Sequence, residues 1–337
     1  MIHSPICVTM RYLVRDTFRQ ARAHGIFAVL LVVSFLSIVV CASISVSGPN
    51  TLVATGEENP DFLPRHDPEA DDSAKLAQSG VKVADGSLTL AFGAIQVPLA
   101  RDTSSAIHFI ELLLAGGVAD TLGLMLTLIW TAGFLPGFLD GRSISVLLAK
   151  PAPRWVLILG KYAGVLLFVL FNAVVFVGGT WAAIGLRTGF WDPTYLLSIP
   201  LLLLHFSIFF GVSVLLAVCT RNAVVCVFGS LVFWCVAWSV NFGRHAFILS
   251  TDMVSDSLRS PLLSSVIDIG YWILPKPADL GMLLYDSLGA HDHFGELLDP
   301  SALASHGFSM TLSVASSLAF TAVVLFASVR TFKLTDY

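Results

Sequence analysis

Apolar runs near or above twenty residues recur along this chain, and they limit its fold more than any other feature. About 20 apolar residues wound as a helix cross the hydrocarbon core of a bilayer. Six such spans are placed at 26–47, 110–138, 156–186, 195–218, 223–242 and 308–329. The second and third exceed the minimum length, so they tilt or extend past the lipid. Composition agrees: the 337 residues are 55% hydrophobic and 12% charged, with mean hydropathy +0.81. A soluble domain carries about 25% charged residues. The expected fold class is therefore an all-α polytopic membrane protein, with 1–337 forming a single transmembrane domain.

Residues 8–24 read as an interfacial helix. Arg11, Arg15, Arg19 and Arg22 recur on one helical face, with Leu13, Val14, Phe18 and Ala21 opposite. Such a basic amphipathic helix lies in the headgroup plane against membrane lipid. A signal peptide is the alternative, but the apolar run 26–46 is longer than the usual 7–15-residue core of one.

Lys and Arg set the orientation. With the N-terminus inside, the short inner segments hold Arg11 through Arg22, Arg142, Lys150, Arg154, Lys161, Arg221, Arg330 and Lys333. The long outer segments are acidic, with Glu57, Glu58, Asp61 and Asp67 in the first and Asp252, Asp256, Asp268 and Asp279 in the last. Both termini are expected in the cytoplasm, and the chain in a plasma (inner) membrane. In the first outer loop, 48–109, Asp85-Gly86 between alternating residues predicts a β-hairpin over 81–90. In the last, 243–307, the apolar piece 261–274 is too short to cross and suits a re-entrant or interfacial helix. A second amphipathic piece covers 278–288. A seventh span at 261–274 is the alternative, and it would put the C-terminus outside.

Net charge −4 points to no nucleic-acid partner. Cys7, Cys41, Cys219, Cys226 and Cys235 avoid the long polar loops and lack metal spacing, so they read as buried apolar thiols. Leu159-Gly-Lys-Tyr162 resembles the end of a phosphate loop, but Trp155 stands where its first Gly belongs and Tyr162 where it needs Ser or Thr. Nucleotide binding is rejected, and Lys161 is expected to snorkel to the cytoplasmic interface. The pairs Gly160/Gly164, Ser207/Gly211 and Gly116/Asp120 have the spacing of close helix packing. His291, His293 and His306 with Asp292 and Glu296 read as a solvated loop rather than a metal site. Glu111 reads as interfacial. Asp120 and His205 are the polar groups set deepest in predicted spans, which makes them functional candidates by default. No catalytic constellation is evident, and no cofactor or metal is expected.

The inner segment 139–155 is short, basic and punctuated by Pro. Pro disfavours helix in the residue before it, so a helix opening near Gly141 stops by Lys150, ahead of Pro151 and Pro153. About two turns across the end of a bundle suit docking on a partner. The run GRSISVLLAKPAPRWVLILGKYAGVLL, 141–167, resembles the cytoplasmic signature of ABC-2-type permeases. The match rests on Asp140, Gly141, Leu147, Leu148, Lys150, Pro151, Arg154, Gly160 and Lys161. Only one acid, Asp140, precedes the Gly, fewer than the family usually has. The six-span plan and the amphipathic N-terminal helix also look like that family. The resemblance implies a dimeric exporter subunit, pairing with itself or a homologous permease. It implies that a separate ATP-binding-cassette ATPase docks on a coupling helix containing Asp140, Gly141, Arg142, Leu147, Leu148, Lys150, Pro151 and Arg154. An integral-membrane enzyme, or a non-transporting sensor or structural subunit acting at the outer face, is the alternative class.

Overall fold

Runs of aliphatic and aromatic residues with few Gly or Pro breaks wind as helices. A computed structural model of the chain, describing residues 5–23, 25–47, 86–93, 95–99, 103–139, 153–249, 261–288 and 309–335, is almost entirely helical. Five helices are long and apolar enough to cross a membrane: Ala106–Phe138, Arg154–Thr188, Pro193–Thr220, Ala223–Ala246 and Met310–Leu334. A sixth is obtained if the bent pair at the N-terminus counts as one. The architecture is that of a multi-pass membrane protein.

The bent pair is α1 (Pro5–Ala23) and α2 (Ile26–Ala42), which meet at 74°. Gly25 makes the corner with φ 72°, a conformation that glycine adopts at little cost. Leu13, Thr17 and Ala21 are buried one turn apart, and the four arginines of α1 are exposed. The predicted amphipathic division is thus present, but its apolar face meets protein. It packs on α6 (Arg154–Thr188), where a Cβ at Gly160 would overlap Leu13 and one at Gly164 would lie 2.7 Å from Thr17 Oγ1. Lys161 is fully buried rather than snorkelling to solvent. Its Nζ donates to Asp16 Oδ2 and Gln20 Oε1, both at 2.8 Å.

The second span begins as α3 (Thr103–Leu112), widens into a π-helix over Leu113–Gly123, and continues as α4 (Leu124–Thr131) and α5 (Phe134–Phe138). Thr121 Oγ1 donates to the Gly116 carbonyl five residues back, at 3.0 Å. π-helical winding is rare and concentrates at functional sites. α6 ends at Gly189, again left-handed at φ 76°, a common helix stop. A 3-10 turn, Pro193–Leu197, leads into α7 (Ser198–Thr220). This span is 67% buried, against 17–39% for the other four, so it is the central helix of the bundle. α8 (Ala223–Leu249) and α11 (Met310–Leu334) flank it. Ser313, Ser317, Thr321 and Ser328 form a buried small-residue face on α11, and a Cβ at Gly211 would lie 3.6 Å from Thr321.

Between α8 and α11, α9 (Pro261–Ile273) and α10 (Pro277–Ser287) have 13 and 11 residues, too short to cross, and fold back on α8. A small antiparallel sheet in the order β1 (Ser45–Ser47), β2 (Gly86–Leu90), β3 (Ile95–Leu99) lies between α2 and α3 along the chain. Its register pairs Ser45 with Thr89 and Leu88 with Val97. The expected hairpin turn at Asp85-Gly86 is corrected here. Gly86 opens β2 opposite Leu99, and the turn falls at Ala91–Gly93. Both edges of β2 are taken, by β1 and β3; residues 81–85 of the expected hairpin lie outside the described residues.

Candidate functional site

The π-helical segment leaves a gap against its neighbours, and α7, α8 and α10 close it into a cavity of ≈ 480 Å³. Gly116 and Gly117 form one wall, Trp234, Trp238 and Phe242 another, and Pro277, Gly281 and Tyr285 a third. Gly116 therefore lines a space instead of serving as the packing notch its spacing suggested; a Cβ there would meet nothing within 4 Å.

Asp120 and His205 both line this cavity, and the structure brings them together. His205 Nδ1 lies 2.6 Å from Asp120 Oδ1. An ionised carboxylate only accepts, so Nδ1 carries the proton. That directs the other ring nitrogen, Nε2, which is buried and has no hydrogen-bond partner among the described residues. Nε2 accepts a hydrogen bond when the ring is neutral and donates one when it is an imidazolium. Trp234 Nε1 on the facing wall is also buried without a partner. Two unsatisfied polar atoms in an aromatic-walled cavity are the pattern of a site for an amphipathic ligand.

α10 is held over the cavity by a polar cluster on its other face. Asp279 is 1% exposed, and its carboxylate accepts from Asn241 (2.8 Å) and His245 (2.5 Å) on α8, Tyr271 (2.8 Å) on α9 and Ser313 on α11. Its backbone N–H donates to Asn241 Oδ1 at 3.0 Å. Burial alone pushes the Asp279 carboxyl up. The hydrogen bonds from His245, Ser313 and Asn241, with the His245 charge, outweigh burial and hold it below the usual carboxylate range. Burial lowers the Lys276 pKa and, with the nearby Asp279 charge, raises that of Tyr271. Two cations lie over the Tyr271 ring, Arg244 4.1 Å and Lys276 4.7 Å from its centre. Lys276 Nζ also donates to Ser316 at 2.5 Å, and Arg244 Nε to Asp268 at 2.9 Å. Asp279, Lys276 and Arg244 are all buried, because α9 and α10 fold back on α8.

Of the expected docking segment, Asp140, Gly141, Arg142, Leu147, Leu148, Lys150 and Pro151 lie outside the described residues, as do His291, His293 and His306. Arg154 is described. Its Nη1 donates to the Lys333 and Thr335 carbonyls at 3.1 and 3.3 Å, capping the end of α11. Glu111 is fully buried within the protein. It faces His108 and Asp192 at the end of the bundle away from α1.

A second cavity, ≈ 300 Å³, opens between α2, α4, α6 and α7. It is walled by Leu30, Val33, Leu126 and Phe176, with Ser34, Thr127 and Asn172 as its few polar groups. The Asn172 Nδ2 and the Thr127 hydroxyl donate to carbonyls four residues back, and Asn172 Oδ1 is buried without a hydrogen-bond partner among the described residues, so this cavity offers one acceptor in a largely lipid-like lining. The Asp120–His205 cavity carries the chemistry. No protein-family model matches the chain, and no curated protein matches it.

Proposed function

We propose that this chain is the transmembrane permease subunit of an ABC-2-type transporter, an exporter that moves cargo through the Asp120–His205 cavity. The observation that carries the reading is where the described residues on either side of 140–152 sit. Phe138, one residue before Leu139, packs under Lys161, whose Nζ is 5.5 Å from its ring and bonded to α1. Arg154, at the other end, clasps the last turn of α11. Both anchors therefore sit beside α1 and the C-terminus, at one end of the bundle. A basic segment tied at both ends there is where a separate ATPase would dock, and rigid α6 would carry its motion to the cavity.

On this reading α2 is a sixth span, both termini and 139–155 are cytoplasmic in a plasma membrane, and 48–109 with its β-element and 243–307 are outside. Two copies of the chain, or one with a homologous permease, make the working unit with two ATPases. This subunit is not itself an enzyme. Co-purification tests the proposal: the tagged chain from its native membrane should bring down a nucleotide-hydrolysing subunit in equal number. Recovery of the chain without any ATPase, under conditions that keep it dimeric, would remove the assignment.

A further inference from the structure

We propose that His108, Glu111 and Asp192 bind a divalent transition-metal ion, Zn²⁺ foremost, which clasps the second span to the turn between α6 and α7. His108 and Glu111 are three residues apart on α3 and so share a helical face. Asp192 follows the Gly189 stop of α6 and caps the 3-10 turn that leads to α7. One donor atom from each of the three lies within 4.8 Å of the others. His108 Nδ1 is 3.4 Å from Glu111 Oε2 and 3.7 Å from Asp192 Oδ2. Two donors bound to a tetrahedral zinc at about 2.1 Å lie about 3.4 Å apart, so a small inward movement completes a three-ligand site.

Glu111 gives the independent reason to expect a ligand. Its side chain is 1% exposed, its one ion-pair contact is His108 Nδ1 at 3.4 Å from Oε2, and among the described residues no donor is aimed well enough at either oxygen to make a hydrogen bond. A buried carboxylate left this way is costly unless a cation or a proton meets it. The surroundings favour a cation. Two carboxylates and one imidazole balance a dication, and among the described residues this is the one such group of potential ligands. Asp192 is already oriented: its Oδ1 accepts from the Thr194 N–H at 2.8 Å, and the Thr194 hydroxyl lies 2.6 Å from both carboxylate oxygens. The His108 ring is set edge-on to Phe190, 5.3 Å away. Phe190 belongs to an apolar cluster with Ile107, Ala183 and Ile184. Such outer partners fix ligands and exclude water at metal sites. Three protein donors leave the fourth position to water, and the ion's role is to tie the ends of three helices together.

The test uses the full-length chain in mild detergent, stripped with EDTA and then titrated with Zn²⁺ against a competing chelator. Wild type should take up one tightly held ion per chain, and its melting temperature should rise. Glu111→Gln keeps the shape, and Asp192→Asn keeps a good helix cap. Each should bind that ion at least tenfold more weakly and gain no melting temperature from it. In EDTA, E111Q should melt no lower than wild type, because it keeps the shape and removes a buried acid whose one ionic contact, to His108, is long and poorly aimed. X-ray absorption should report nitrogen and oxygen donors with a single imidazole. Wild type that binds no tight Zn²⁺ overturns the proposal. So does equal binding by wild type and both variants, or an absorption spectrum with sulfur or several imidazoles, which would put the ion on cysteines or histidines elsewhere.

Discussion

His205 Nδ1 meets Asp120 Oδ1 at 2.6 Å, although the two residues are 85 positions apart and belong to different spans. The contact ties the π-helical part of the second span to the central helix across the edge of the cavity. Hydrogen bonds to a charged group contribute about 1.5–3 kcal/mol. His205→Leu, which leaves Asp120 without its donor, should destabilise the protein by about that amount. His205→Gln can still donate and should recover part of the loss. Denaturant unfolding in detergent measures both. Equal losses would mean that the ring matters only through its packing on Phe209, 5.4 Å away.

The α1–α6 contact is set by the absence of side chains. A Cβ at Gly160 would overlap Leu13, and Met10 Sδ lies 2.9 Å from the same point. Overpacking of this kind costs about 1–3 kcal/mol. Gly160→Val should loosen α1 from α6 and expose Arg19 and Arg22 to trypsin sooner, with the spans still folded by circular dichroism. Leu13→Ala should partly rescue it by making room. A glycine face filled within the chain also means that Gly160 and Gly164 are not available to a second copy, so any dimer must use other faces.

Asp279 makes acid stability predictable. Burial raises its pKa, but the hydrogen bonds from His245, Ser313 and Asn241 win, so the folded-state value lies below the ordinary one. A depressed carboxyl stabilises fully above its unfolded pKa, about 3.9, and loses that contribution as pH falls through the lower folded value. Wild type should therefore hold its melting temperature from neutral pH to about pH 4 as far as this group is concerned, then drop. Asp279→Asn should be less stable at pH 7 by about 3–5 kcal/mol, the cost of breaking a buried pair, and the gap should narrow below pH 4. A constant gap from pH 7 to pH 3 would assign the cluster to shape rather than charge.

Run length made the spans legible, because a bilayer imposes about 20 apolar residues whatever the partner helices are. It made Asp120 and His205 legible singly, since polar side chains stand out in apolar runs. Their pairing was not, because contacts between spans leave no trace in local periodicity. The Asp279 cluster was missed for a related reason. Asn241 and His245 sit at the end of a span and Asp279 in what reads as a loop, and only the fold-back of α9 and α10 brings them together. The place of Glu111 at a span end was legible, but position says nothing of the His108 and Asp192 side chains around it. The Asp85-Gly86 turn misled because a dipeptide cue is local. β2 instead takes one partner from about 40 residues back, with Ser45 opposite Thr89.

The docking proposal makes a prediction that an ordinary inner loop does not. A loop that merely obeys the positive-inside rule needs Arg142, Lys150 and Arg154 and is indifferent to leucine shape. A docking helix needs apolar anchors as well, because a few buried side chains carry most interface energy, about 2 kcal/mol or more each. Leu147→Ser with Leu148→Ser should leave insertion and self-association intact. It should cut ATPase retention on the purified chain by tenfold or more and abolish cargo-dependent ATP turnover in nanodiscs. Arg154→Ala is the informative companion, since Arg154 already spends its Nη1 donor on the Lys333 and Thr335 carbonyls. It should loosen the end of α11 and lower the melting temperature even when no ATPase is present, whereas the leucine pair should not. Wild-type retention and turnover in the leucine double variant would leave 140–154 as a charged connector and remove the main residue-level reason for assigning a permease.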